Sequence, residues 1–188
     1  MSTDLTNEQI IEMHELLGSF GDVLTDVPGR TNLTEHTLEV TSEVPIRQKP
    51  YRLPHSVKAE VEKEIQQLLD MGIIEKSSSP WASPIVVVPK KPSGIRMCTD
   101  YRKLNQVTVA NAYPIPRIDE MLDELGQAKF LTTIDLTKGY YQVPLSENAK
   151  AKFAFVSPYG HFQYTTVPFG MKNSSAAFSS WWTQQFMV

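Results

Sequence analysis

Two β-rich runs, Ile85–Val88 and Ile95–Thr99, flank the segment Pro89-Lys90-Lys91-Pro92-Ser93-Gly94. Branched apolar residues favour extended backbone, and a Pro-Ser-Gly stretch between two such runs turns the chain back on itself. The middle of the chain therefore has to hold a hairpin, and whatever surrounds it must cover a sheet. Helical patterns lie on both sides. "HSVKAEVEKEIQQLLDMGII" reads as a helix with a stripe of Val57, Val61, Ile65, Leu68 and Leu69, and Gly72 sits where a left-handed residue ends a helix. Thr6 and Gln9 stand in capping-box spacing, ahead of a face formed by Ile10, Met13, Leu17, Phe20 and Leu24. A third helix is expected after Pro116, with Ile118, Met121, Leu122 and Leu125 inward and Gly126 as terminator.

Further β-type runs follow at Phe130–Asp135, Tyr141–Leu145 and Lys152–Val156. "SPYGHF" then turns into "FQYTTVP", and Ser174–Phe186 reads as a closing helix. Between the first two helices, residues 25–54 are rich in Pro, Thr and Glu without periodicity. They read as an extended linker, with a short strand expected at Thr37–Val40. Strands and helices that do not alternate regularly argue for an α+β fold.

The net charge of −3 over 188 residues hides an asymmetry. Residues 1–44 hold one basic residue, Arg30, against nine acidic ones, or −8, while residues 45–188 carry +5. An acidic head on a mildly basic body fits a body that meets polyanions, and ordinary solvated charge accounts for it equally well. Cys98 is the sole cysteine and reads as strand core rather than nucleophile. With no basic or apolar leader in "MSTDLTNEQ" and no membrane-length apolar run, an intracellular site is expected, either a cytoplasmic particle or the nucleus. His14, His36, His55 and His161 show no ligand-like spacing.

"KPYRLP", "GIIEKSSSPWASPIVVVPKKPSGIRMCTDYRKLN", "YPIPRIDEMLDELGQAKFLTTIDLTKGYYQVPL" and "YTTVPFGMKNSSAAF" together resemble gypsy-type LTR-retrotransposon reverse transcriptase. The resemblance covers roughly residues 45–180, and its specificity lies in several motifs in register. It divides the chain into an acidic helix-and-linker spacer (residues 1–44) and a polymerase part (residues 45–188). The resemblance implies a right-hand polymerase fold, with fingers and part of the palm. It also implies Mg²⁺-dependent nucleotidyl transfer from a dNTP to a primer 3′-OH on an RNA or DNA template–primer. In such polyproteins a ribonuclease H usually accompanies the polymerase.

On the residues alone, Asp135 is either a strand-end carboxylate satisfying local N–H groups or a metal ligand. The resemblance makes it the first metal carboxylate, with the Leu136 carbonyl beside it, and hard oxygen donors suit Mg²⁺. Tyr140 matches the residue that packs against the incoming sugar, whereas Tyr141 is expected to be structural. Arg96 matches the cation along the triphosphate, where a planar, permanently charged fork suits phosphate oxygens. Lys90 or Lys91 offers a second cation from the same hairpin, and the sequence does not choose between them. Phe169 and Gly170 match the nucleotide pocket. Lys172, Arg102 and Asn105 are the candidates for contacting nucleic acid, with Asp100, Arg102 and Asn105 also suited to bracing the fingers. Trp81 reads as an anchored loop residue rather than a stacking platform. Ser174-Ser175 stands where the family continues Ala-Pro.

The family's other two metal carboxylates come from a Tyr-x-Asp-Asp hairpin. This sequence contains none, and Glu147 is its only acidic residue after Asp135. Two Mg²⁺ ions need near-octahedral oxygen shells, so metal binding here is expected to be weak or absent. The expected role is thus a polymerase fragment inactive by itself, open to a complementary polymerase segment. The alternative is a noncatalytic nucleic-acid-binding or protein-interaction module.

Overall fold

The computed structural model describes residues 5–90, 94–114, 117–126 and 128–186. Its elements in chain order are α1 (Asn7–Ser19), α2 (Lys58–Asp70), β1 (Ile74–Lys76), β2 (Ser83–Pro89) and β3 (Ile95–Thr99). They continue with α3 (Arg102–Val107), α4 (Ile118–Leu125), α5 (Glu147–Lys152), β4 (Ala154–Ser157), β5 (Gly160–Tyr164) and α6 (Ser174–Phe186). The strands form one sheet in the order β1-β5-β4-β2-β3. The β2–β4 pair is parallel, and the other neighbours are antiparallel. Helices and a mixed sheet without regular alternation make this an α+β fold.

The hairpin forms where the apolar runs require it. Ile85 pairs with Thr99 and Val88 with Arg96, and the Lys90 N–H closes the loop on the Gly94 carbonyl at 2.9 Å. Lys91, Pro92 and Ser93 lie outside the described residues. On α2, Val61, Ile65 and Leu68 are buried. Gly72 has φ +65°, and the Ile73 N–H reaches back to the Leu68 carbonyl at 2.9 Å, the bond that closes a left-handed helix end. The core combines this stripe with Trp81, Ile85, Tyr101, Leu104, Phe153, Phe155, Phe162 and Tyr164. Tyr101 meets Phe153 edge-on, with ring centroids 5.7 Å apart, and its hydroxyl donates to the Phe153 carbonyl at 3.0 Å. Trp81 is 5% exposed, an anchor rather than a platform.

Several expectations are corrected. Phe130–Asp135 forms no strand, and Phe130, Leu131 and Ile134 stand exposed. A β-type composition needs a neighbouring strand to become a ladder, and none lies alongside among the described residues. Tyr141–Leu145 begins in a 3₁₀ turn (Gly139–Gln142) and contributes only single bridges at Pro144 and Leu145. Lys152 ends α5, so the next strand starts at Ala154. α4 forms, but Ile118, Met121, Leu122 and Leu125 are exposed rather than inward, and Pro116 lies outside the described residues. Its terminator Gly126 keeps a right-handed conformation, φ −60°.

The segment read as a linker is extended, but it is stitched to the body as a strap. The Thr31 N–H bonds to the Gln142 carbonyl, His36 N–H to Pro144, and Thr41 N–H to Val107. Arg47 bridges Ala82 in parallel register. In place of the expected strand there are isolated bridges, His36 to Leu145 and Val40 to Thr108. The Arg30 guanidinium adds bonds to the Gly72 carbonyl (2.9 Å) and the Thr165 hydroxyl (2.8 Å). Burial against Phe153 lowers the His36 pKa below its ordinary value. α1 begins with the Thr6/Gln9 capping box and buries no residue.

Urea denaturation should separate these contributions. Ile65→Ala, in a filled core, is expected to cost about 2–5 kcal/mol. Deleting residues 1–20 should change stability by less than about 0.5 kcal/mol, the range for changes away from packed features.

Candidate nucleotide and nucleic-acid surface

The loop carrying Phe169 and Gly170 has little regular structure, so its backbone groups need other partners. Two asparagine side chains supply them. Asn105, on α3, donates to the Gly170 carbonyl (3.0 Å) and accepts the Lys172 N–H (2.9 Å). Asn173 accepts the Asn111 N–H (3.1 Å) and donates to the Val109 carbonyl (2.8 Å). The Ser174 hydroxyl closes the loop on the Pro168 carbonyl at 2.9 Å. Gly170 has φ +88°, a conformation that disfavours any side chain. A Cβ at that position would lie 3.7 Å from the Thr99 carbonyl, which places the loop against the end of β3.

Phe169 is 49% exposed and packs on Tyr140, with ring centroids 4.8 Å apart. The Tyr140 ring also meets Phe178 of α6 edge-on at 5.4 Å, and its hydroxyl lies 3.1 Å from the Ser175 hydroxyl. Tyr141 stacks on Tyr164 at 6.1 Å and also meets Phe169 edge-on at 5.4 Å. Burial, reinforced by Tyr164, pushes its phenol pKa up. The turn that presents Tyr140 contains Lys138 at φ +49°. Gln142 holds it by donating to the Thr137 carbonyl at 3.1 Å.

Asp135 is exposed and Leu136 half-buried, just before this turn. Leu136 Cβ lies 3.4 Å from where a Gly139 Cβ would sit, so the Asp135–Leu136 peptide runs directly into the Tyr140 turn. Tyr140 and Phe169 thus pack together, with Gly170 against the end of β3, Leu136 at the turn and Asp135 exposed just before it. Arg96 stands exposed on β3 opposite Val88, and Lys90 is exposed at the hairpin end. Lys91 lies outside the described residues. The Lys172 ammonium bonds to the Thr108 carbonyl at 3.3 Å, and Asn105 is fully engaged in the loop.

Arg102 is held by Asp100 through two bonds of 2.9 and 2.7 Å, and Tyr51 adds its hydroxyl to the same carboxylate at 3.1 Å. The Arg102 guanidinium, first among the causes, holds the Asp100 carboxyl down to about 2. Sequence reasoning missed Tyr51, Asn173 and Arg30. Each acts through one long-range hydrogen bond or pair of bonds, which leaves no periodic signal.

A metal finds few donors here. The Asp135 carboxylate and Leu136 carbonyl are hard oxygens, but among the described residues no three His, Cys, Asp or Glu side chains come together to hold an ion. That donor set does not fit a two-Mg²⁺ centre.

Residues 88–186 match the family model for reverse transcriptase (RNA-dependent DNA polymerase). The chain belongs to the reverse transcriptase family. It is 40% identical over 186 residues to the retrovirus-related Pol polyprotein from transposon 297 of Drosophila melanogaster, covering 93% of this chain and 17% of that protein. With the Pol polyprotein from transposon gypsy of the same fly it shares 37% identity over 158 residues, covering 81% and 15%. The chain therefore spans less than a fifth of these relatives. Its fold matches a prototype foamy virus protease–reverse transcriptase (CSH mutant) with TM-score 0.88 at 24% identity, covering 97% of this chain and 25% of that one. A foamy viral protease–reverse transcriptase in complex with RNA/DNA hybrid matches with TM-score 0.81 at 25% identity, covering 96% and 25%. These matches bear out the gypsy-class reading and the polymerase fold. Among the described residues, no helix is long and apolar enough to cross a membrane.

The Asp100–Arg102 pair is acid-sensitive in a defined window. The folded carboxyl titrates at about 2 against an ordinary 3.8, so its stabilising contribution is whole above pH 3.8 and is lost as pH falls towards 2. A carbon-detected NMR titration should give Asp100 a midpoint near 2, and Arg102→Ala should return it towards 3.8.

Proposed function

We propose that this chain supplies the nucleotide- and template-facing part of a gypsy-class retrotransposon RNA-directed DNA polymerase. On this reading the 188 residues alone do not carry out nucleotidyl transfer. The observation that supports it is the packing of Tyr140 on Phe169 beside Gly170, with Asp135 exposed just before the Tyr140 turn as the one acidic side chain between residues 130 and 145. Arg96 would lie along the triphosphate, where its fork can meet two oxygens at once. Lys90 or Lys91 would add a second positive charge from the hairpin. The Tyr140–Phe169 ring pair would meet the sugar of the incoming dNTP, and Gly170 would let the backbone approach it closely.

Mg²⁺ would bring charge neutralisation and orientation of the attacking and leaving oxygens. Asp135 and the Leu136 carbonyl are the donors this chain offers towards it. The exposed large apolar residues of α4 and of Phe130–Ile134 support a complementary polymerase segment that covers them, because exposed apolar side chains in number mark an interaction site. Lys172 and Arg102 would bear on the template–primer, with Asn105 shaping the loop between them. Binding of RNA/DNA hybrid by the foamy viral relative supports the same class of ligand here. A ribonuclease H and an intracellular particle or nuclear site remain part of this proposal.

Extension of a labelled RNA/DNA template–primer with dNTPs and Mg²⁺ tests it. The isolated chain should give no product above background. A chimera in which it replaces the matching part of an active relative should extend the primer. In that chimera Asp135→Asn should lower the rate by about a hundredfold or more, the scale for removing a group aimed at developing charge. Robust extension by the isolated chain, or an indifferent Asp135→Asn chimera, would overturn the reading.

A further inference from the structure

The N-terminal segment carries exposed apolar surface that the polymerase reading leaves unused. α1 buries no residue. Ile10, Met13, Leu17 and Phe20 fall on one face at helical spacing, with Glu8, Glu12 and Glu15 on the opposite one. Leu17 and Phe20 are exposed, and so are Val23, Leu24 and Val27 beyond the helix. A helix gains most of its stability in a protein by packing such a stripe.

The segment is attached at one end. Among the described residues, the hydrogen bonds of residues 6–24 stay within that stretch. Thr25 is the first to reach the body, where its carbonyl accepts the Thr137 hydroxyl at 2.9 Å. Gln142 in turn donates to the Thr137 carbonyl at 3.1 Å, and the Thr31 N–H bonds to the Gln142 carbonyl at 2.8 Å. The root of α1 is thereby fixed at Thr137, two residues after Asp135. Just upstream of that point, Phe130, Leu131 and Ile134 stand exposed.

Reach and charge both select this segment for α1. The helix has 13 residues, or ~20 Å at 1.5 Å per residue, and Phe130–Thr137 spans at most about 25 Å. A helix swung about Thr25 can lay its stripe along Phe130–Ile134, with its N-terminal end towards Lys129. Residues 1–29 hold six carboxylates and no Lys or Arg. Lys129 and Lys138 flank the apolar segment, both exposed and neither in an ion pair among the described residues. α4 also exposes apolar residues, but it brings Asp119, Glu120 and Asp123 beside one cation, Arg117, which Asp119 already holds. A second α1 would bring carboxylates alone. Like charge disfavours both of those pairings. Closure on Phe130–Ile134 removes apolar atoms from water while Glu8, Glu12 and Glu15 stay in it.

We infer that α1 is a hinged cover for the Phe130–Ile134 segment. It closes on that segment in the same molecule and gives way when a complementary polymerase segment takes the face. The displacement rests on the polymerase reading, whereas the closure does not. The structure shows the open form, and the small stability effect expected of losing residues 1–20 puts the two forms at comparable populations.

Pulsed electron–electron double resonance on the whole chain tests this, with nitroxides at Glu8→Cys and Ala128→Cys in a Cys98→Ala background. A separation below about 20 Å, the length of the helix itself, should appear beside a longer one. Leu17→Asp/Phe20→Asp should lower the short-distance fraction by about tenfold or more, because closure would then bury carboxylates. Leu131→Asp/Ile134→Asp on the facing segment should do the same, and Glu12→Gln on the outward face should leave the fraction unchanged. Absence of the short distance in the parent pair, or its survival in both double variants, would overturn the inference. So would a short distance that arises only between singly labelled chains mixed together, which makes a second copy the occupant. In the primer-extending chimera the short distance should vanish, and its persistence there would overturn the displacement. Failure of the polymerase reading would show differently, as a chimera that extends no primer while the isolated chain keeps the short distance.

Discussion

The loop carrying Phe169 and Gly170 depends on a relay of hydrogen bonds that begins in the strap. The Thr41 N–H bonds to the Val107 carbonyl at 2.7 Å, and the Val109 N–H bonds to the Glu39 carbonyl at 3.0 Å, with Val40 and Thr108 bridged between them. That fixes residues 107–109 as an edge. Asn173 holds this edge, while Asn105 holds the loop from α3. Each bond alone contributes on the order of 1 kcal/mol. Phe169 and Gly170 hold their position against Tyr140 and β3 through this relay.

How much of this could be read in the sequence follows from the range of each interaction. The β2–β3 hairpin, the Thr6/Gln9 box and the Gly72 helix end are decided within a few residues, and all three are where the sequence puts them. The α2 stripe is equally legible, because burial follows the 3.6-residue period. The strap carries no period. Its partners lie far along the chain, so a Pro- and Thr-rich stretch could be read only as extended. Phe130–Asp135 and α4 fail differently: their composition asks for a neighbour that no described residue supplies, so apolar side chains expected inside stay exposed.

For the candidate site, the motif match singled out Tyr140 and Phe169, whose rings the structure packs together, and Asp135, which stands exposed just before the Tyr140 turn. It could not show that Asn105 is spent on the loop, or that the Lys172 ammonium already has a carbonyl. The aromatic packing of Tyr140 between Phe169 and Phe178, tied to Ser175, is likewise a product of the fold.

The central claim is that amide side chains anchor the loop to the strap-bound edge, and amide hydrogen exchange tests it directly. In the wild-type chain the Lys172 N–H, donated to Asn105, and the Asn111 N–H, donated to Asn173, should both be strongly protected. Asn105→Ala should abolish protection at Lys172 while leaving the Tyr101 and Phe153 amides in the core protected. Exchange at Lys172 as fast as in an unstructured chain, already in the wild type, would contradict the account.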